Sequence, residues 1–252
     1  NTSGGYNSAF GAIALRNNTT GSRNLAIGYG AYDAADTESD NLAIGYDALG
    51  GSIDGGEYNV AIGNYAMDAN TEGDYNTAVG YSSLTDNTTG AANVAYGSQS
   101  LFKNTTGSRN VAIGYQSLYQ NTEGSHNTAL GYNSLTNTTG SSNTALGNVA
   151  LTENTSGASN VAIGMAALRN NTTASYNTAI GRLALEDANR TADTDGYNVG
   201  LGYNAGNTGT NDITTGNKNT LLGASTAASA AAGTNQTVIG YGASGKGDNT
   251  VT

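Results

Sequence analysis

Asn93-Val94-Ala95-Tyr96-Gly97, then Asn110-Val111-Ala112-Ile113-Gly114, then Asn127-Thr128-Ala129-Leu130-Gly131: one five-residue phrase returns every 17 residues. The anchoring Asn begins at Asn7 and recurs through Asn160, Asn177, Asn198 and Asn219, with Gln236 replacing it once. Most steps are 17 residues, and the two from Asn177 to Asn198 and from Asn198 to Asn219 are 21. A unit this small cannot bury its own apolar face, so neighbouring units must stack and share a core.

The columns of the repeat specify strands. Gly stands four positions after every anchor, from Gly11 to Gly240. One and three positions after it come apolar or β-branched residues, such as Leu25 and Ile27 or Val60 and Ile62. The column between them is Ala from Ala9 to Ala179. Side chains alternate along an extended chain, so one face is branched and the other is small. The branched column of Ile27, Ile44 and Ile62 is expected inside, and the Ala column, with Ala95, Ala112, Ala129 and Ala162, is expected against a subunit interface. Eight positions after the anchor lies a second apolar column that includes Leu84, Leu101, Leu118 and Leu135. A turn cluster follows, as in Asn104-Thr105-Thr106-Gly107, whose residues bend chains by local hydrogen bonding and by tolerating positive φ. Helix is excluded by the propensity cost of so much Gly, Asn and Thr, while the β-branched residues favour strands.

The fold expected is therefore all-β: a parallel β-solenoid of about fourteen coils, ~4.8 Å apart and so roughly 65–70 Å long. Residues 1–252 read as a single elongated repeat domain, with regular coils over 7–197, loop insertions over 187–218 and terminal coils over 219–252. The chain opens at Asn1 within a repeat and reads as a fragment or processed form. The core is thin, and association of three copies is expected to supply what one chain lacks.

Composition narrows the function. The net charge is −10 with nine Lys and Arg, which argues against nucleic acid, where phosphate neutralisation supplies most of the affinity. Thirty-seven glycines without proline exclude collagen. There is no Cys to form a disulfide, no apolar run of membrane-spanning length, and no signal peptide is read.

The chemical motifs read as scaffold. Gly240-Tyr241-Gly242-Ala243-Ser244-Gly245 matches a dinucleotide fingerprint in letters, but Gly240 is the repeat glycine and no helix-forming run follows. Asn-x-Thr/Ser triplets at Asn18, Asn87, Asn104, Asn137, Asn154 and Asn171 fall at repeat spacing, so turn chemistry accounts for them. Acidic residues from Asp33 to Asp40 and around Asp193 and Asp195 lack the register of a calcium loop. His126, the sole histidine, has no nucleophile or orienting acid in view. No cofactor, metal or catalytic group is expected. Sixteen Tyr stand beside two Phe and no Trp. Tyr rings can cover a thin core with the hydroxyl in water, or Tyr115, Tyr132 and their equivalents can form a binding stripe. The insertions add Arg190, Asp193, Asp195 and Tyr197 as candidate contacts, because solenoid insertions emerge as surface loops.

The phrase Asn-Val-Ala-Ile-Gly, at Asn59–Gly63 and Asn110–Gly114, resembles the head repeat of trimeric autotransporter adhesins. Its continuation, at Gly114–Leu118 and Gly131–Gly140, is similar to shaft repeats of phage tail fibres and bacterial surface fibres. The adhesin-head period is usually shorter. The resemblance implies a left-handed parallel β-roll in an intertwined or side-by-side homotrimer, without catalytic residues to carry over. It implies an extracellular setting, on a cell surface or virion tail, and a receptor or glycan as partner; no insertion into a membrane is expected, because no apolar run is long enough. An ice-binding solenoid is the alternative, suggested by Thr88-Thr89, Thr105-Thr106, Thr138-Thr139 and Thr172-Thr173; an enzyme carried on a solenoid is the third class.

Overall fold

A short extended run followed by an obligatory glycine corner gives each coil one three-residue strand, and fourteen such strands are found among the described residues. A computed structural model of the chain describes residues 2–34, 36–51, 54–189 and 195–252. No helix occurs among the described residues. The chain falls into two compact units, Asn1–His126 and Asn127–Thr252.

The first unit holds β1 (Ser8–Phe10), β2 (Leu25–Ile27), β3 (Leu42–Ile44), β4 (Val60–Ile62), β5 (Thr77–Val79), β6 (Val94–Tyr96) and β7 (Val111–Ile113). Each strand pairs with its chain neighbour, parallel and in register, so that Ala26 lies beside Ala43 and Ala43 beside Ala61. The second unit holds β8 (Thr128–Leu130), β9 (Thr144–Leu146), β10 (Val161–Ile163), β11 (Thr178–Ile180), β12 (Val199–Leu201), β13 (Thr220–Leu222) and β14 (Thr237–Ile239). Its pairing follows the same rule, and the register survives both 21-residue steps: Ala179 meets Gly200, and Gly200 meets Leu221. Both units are parallel β-solenoids.

The two strand faces are the reverse of the expected arrangement. Ala26, Ala43, Ala61, Ala78, Ala95 and Ala112 are fully buried, whereas Ile27, Ile44 and Ile62 are only partly covered. The coil is too narrow for branched residues on both walls. The opposite wall carries Leu84, Leu101 and Leu118, all fully buried, and these fill the interior so that only a methyl group fits across from them. The Ala column is thus internal and is not available as an interface. Ala112→Glu is accordingly expected to unfold the chain by burying an unpaired charge, not to dissociate folded subunits; circular dichroism of the variant should show lost β-signal, and a folded monomer would contradict the assignment.

The second wall is not a strand. Its residues alternate in handedness: Gln99 (φ 55°) and Leu101 (φ 51°), then Gln116 (φ 51°) and Leu118 (φ 52°), all lie in the left-handed region. Bulky L-residues reach that region at roughly 1–2 kcal/mol each. The N–H groups of the two left-handed residues point to opposite neighbours, while that of Ser100 between them donates to Gly97 C=O of its own coil at 3.3 Å. Gln99 N–H donates back to Tyr81 C=O at 2.8 Å, and Leu101 N–H donates forward to Ser117 C=O at 2.9 Å. Coil-to-coil hydrogen bonding offsets the local strain.

Two internal amide ladders complete the interior. Each anchor Asn accepts the N–H of the next through its side-chain oxygen, as between Asn76 and Asn93 and between Asn93 and Asn110, both 2.9 Å. The side-chain nitrogen of most anchors donates to a turn carbonyl, as Asn93 Nδ2 does to Gly107 O at 2.9 Å; among the described residues Asn177 Nδ2 has no such bond. The turn asparagines form a second chain of bonds, Asn87 Nδ2 to Asn70 Oδ1 and Asn104 Nδ2 to Asn87 Oδ1, both 2.7 Å. Satisfying buried polar groups in this way is what allows a core so poor in large apolar side chains.

Near the end of the chain the core exchanges its large and small positions. Gly206 and Ala227 occupy the second-wall column, and Leu221 and Val238 replace Ala on the strand wall, both fully buried. A β-carbon on Gly206 would lie 2.7 Å from Leu185 Cδ2 and 2.9 Å from Leu221 Cδ1. Ile213, from the second 21-residue step, is fully buried beside them.

Candidate interaction surface

Because Ala points inward, the branched residues point out. In the first unit Leu25, Val94 and Tyr96 are exposed, and Ile27, Leu42, Ile44, Val60 and Ile62 are partly so. In the second unit Leu130, Ile180, Val199, Leu201 and Ile239 are exposed. Each strand thus presents two side chains outward, and neighbouring strands stack them into columns. Contiguous apolar surface on this scale marks interaction sites on soluble proteins.

Tyrosines border the columns. Tyr58 and Tyr75, one residue before their anchors, stack with ring centroids 5.0 Å apart and planes 2° apart. Tyr176 and Tyr197 repeat the arrangement at 5.0 Å and 6°. On the other side, after the repeat glycine, Tyr29 and Tyr46 stack at 5.3 Å, and Arg182 sits 5.5 Å above the ring of Tyr203. Tyr115 in the first unit and Tyr132 in the second are exposed, each directly after its own repeat glycine. Fifteen of the sixteen rings are on or near the surface, and several stack on the ring of the next coil instead of roofing the core; among the described residues Tyr32 is the one fully buried tyrosine. It occupies the Leu column and bonds Asn41 through its hydroxyl. Burial, and then the nearby Glu38 carboxylate, raise its pKa above the ordinary phenol value.

The insertions divide. Arg190 and Asp193 lie outside the described residues. Asp195 is half-buried and pairs with Ser175 in an isolated parallel bridge, and Tyr197 is exposed on Tyr176. The structure therefore brings Asp195 and Tyr197 together, with Tyr197 Oη donating to Asp195 Oδ2 at 3.3 Å. Residues 204–218 form less of a loop than expected. Ile213 is inside, Asn207 Nδ2 donates to Glu186 Oε2 at 2.7 Å, and Asp212 Oδ1 accepts Gly209 N–H at 2.7 Å.

The other motifs resolve into scaffold. Asn18, Asn87, Asn104, Asn154 and Asn171 are buried, so in the folded protein their amides are not presented to a glycosylating enzyme; Asn137 is half-buried and bonds Glu153. Thr88 and Thr105 donate their hydroxyls to the next coil, Thr88 Oγ1 to Thr105 O and Thr105 Oγ1 to Thr122 O, both 3.0 Å, whereas Thr138 Oγ1 accepts from Gly140 N–H and Asn154 Nδ2. Gly240 has the φ of the repeat glycines, 126°, and leads into turns. His126 is exposed beside Arg109. Asp40 is held below the usual carboxylate range by its bond to Arg23, an exposed pair with N–O 2.6 Å; such pairs contribute little stability. Among the described residues no group of three or more His, Cys, Asp or Glu is placed to hold a metal, and no helix is long and apolar enough to cross a membrane.

No protein-family model matches this chain, and no curated protein matches it in sequence.

Proposed function

We propose that the chain is a non-enzymatic segment of a phage tail fibre or bacterial surface adhesin, built as a homotrimer and working outside the cell as shaft and, through its exposed residues, as a receptor- or glycan-binding surface. The outward strand face carries this reading. Leu25, Val94, Leu130 and Leu201 are exposed in the single chain, and three identical copies meeting on this face would remove their columns from water at about 25 cal/mol per Å². Identical subunits present identical columns, and Tyr at the border suits an interface rim, where a ring is covered and a hydroxyl stays wet.

The ice-binding alternative rests on the second Thr of each pair, such as Thr89 and Thr106, which are exposed. The hydroxyls of Thr88 and Thr105 are spent on carbonyls of the next coil, and a measured thermal hysteresis would support this alternative.

The interface is tested by charge. Val94 (37% exposed) and Tyr96 (59% exposed) flank buried Ala95 on β6. The double change Val94→Lys and Tyr96→Lys should leave the monomer folded and should dissociate the assembly, lowering the sedimentation mass to that of one chain. A native protein that already sediments as a stable monomer would overturn the trimer; a trimer unaffected by the two lysines would overturn this face.

A further inference from the structure

This chain has sixteen tyrosines and no cysteine, and parallel pairing in register sets tyrosines of successive coils ring on ring. Tyr58 and Tyr75 lie 5.0 Å apart between centroids with planes 2° apart, and Tyr176 and Tyr197 lie 5.0 Å apart at 6°. All four rings are exposed, so they can be reached by an oxidant and can tilt toward each other. The second pair has a further group: Asp195 Oδ2 is 3.3 Å from the Tyr197 hydroxyl, within reach of its proton.

We propose that Tyr58–Tyr75 and Tyr176–Tyr197 are sites of oxidative cross-linking to dityrosine within one chain, by a one-electron oxidant such as a haem peroxidase turning over hydrogen peroxide. Each phenol gives up one electron and its proton, with Asp195 taking the proton of Tyr197. The two phenoxyl radicals join through ring carbons ortho to oxygen, forming one C–C bond. Each of those carbons then loses its hydrogen as a proton while a proton returns to each oxygen. The pair loses two electrons and two protons in all, and one hydrogen peroxide becomes two waters. Stacking makes the coupling effectively unimolecular, which favours it over encounters between free tyrosines. The product ties one coil to the next. At Tyr176–Tyr197 it spans the long step after Asn177. It would do for this cysteine-free chain what a disulfide does, by restricting the unfolded state. The inference does not depend on the fibre reading.

The structure also holds a blank. Phe102 and Tyr119 stack at 5.3 Å and 6°, and phenylalanine forms no phenoxyl radical, so that stack should stay unlinked. The test treats the assembled protein, prepared from mixed isotope-labelled and unlabelled chains, with peroxidase and hydrogen peroxide, and maps dityrosine-linked peptides by mass spectrometry. Links joining Tyr58 to Tyr75 and Tyr176 to Tyr197, each within one isotope type, are expected. Tyr75→Phe and Tyr197→Phe should each remove one link and leave the other. Asp195→Asn should lower the Tyr176–Tyr197 yield several-fold against Tyr58–Tyr75. Absence of both links while other tyrosines are oxidised, or links mainly between labelled and unlabelled chains, would overturn the proposal; an Asp195→Asn yield equal to the native one would overturn the proton-accepting role.

Discussion

Gly97→Val should be among the most damaging single changes in this protein, lowering stability by roughly 4 kcal/mol or more. Two independent costs combine. The backbone at Gly97 has φ 133°, where side chains other than hydrogen are strained, at about 1–3 kcal/mol. A β-carbon there would also lie 2.6 Å from Gly114 O and 2.8 Å from Gly114 C in the next coil. Backbone atoms tied into a ladder cannot swing aside as a side chain could. A second glycine separates the two costs. Gly242 has φ 64° and open space around its would-be β-carbon, the same left-handed region that Gln99 and Gln116 occupy in equivalent positions of earlier coils. Gly242→Ala should therefore cost only about 1–2 kcal/mol. Urea midpoints of the two variants measure the contrast. Equal and small effects would mean that the invariant column records ancestry, not packing.

The glycine column was legible because its requirement is local. Gly114 (φ 128°) and Gly131 (φ 139°) take the positive-φ corners expected of them. Strand position and parallel pairing were legible for a similar reason: a fixed period admits one register. The orientation of the strand was not. Hydrophobicity ranks Ile above Ala, so Ile27 and Ile62 were assigned to the inside. That ranking ignores the width between the walls, which Leu84, Leu101 and Leu118 already fill from the far side. The left-handed leucines were hidden because propensity scales describe isolated residues, whereas Leu101 is held by an N–H bond to the next coil. Ile213 is hidden because an insertion is read by its length; its context holds the missed signal, since Gly206 stands where the second-wall column otherwise carries Leu, and a nearby apolar residue must supply the missing side chain. The aromatic pairs could have been found. Tyr58 and Tyr75, like Tyr176 and Tyr197, immediately precede successive anchors, and in-register pairing alone puts such residues side by side.

The amide ladder yields the other large prediction, and its sign depends on pH. Asn93 is fully buried. Its Oδ1 accepts Asn110 N–H and its Nδ2 donates to Gly107 O, both at 2.9 Å. Asn93→Ala leaves Asn110 N–H unsatisfied, at about 1–3 kcal/mol, while Gly107 O keeps the bond from Asn104 Nδ2 at 2.9 Å, and this loss should not vary with pH. Asn93→Asp behaves differently. A protonated carboxyl accepts from Asn110 and donates to Gly107 as the amide does. An ionised one faces the Gly107 carbonyl with an acceptor, in a dry interior, with no cation among the bonds that serve Asn93. The folded protein therefore raises the pKa of the introduced group above its unfolded value of about 3.9. A raised carboxyl pKa means that stability relative to the native chain is retained below pH ~3.9 and is lost as pH rises from there toward the folded-state pKa. At pH 7 the loss should reach roughly 3–5 kcal/mol. The two variants should thus change order: Asn93→Asp is the more stable near pH 3, where its carboxyl is protonated, and Asn93→Ala is the more stable at pH 7. Urea unfolding of both variants and the native protein at the two pH values reads this out directly. A deficit for Asn93→Asp that is the same at both pH values would show that the anchor asparagine does not work through its paired donor and acceptor.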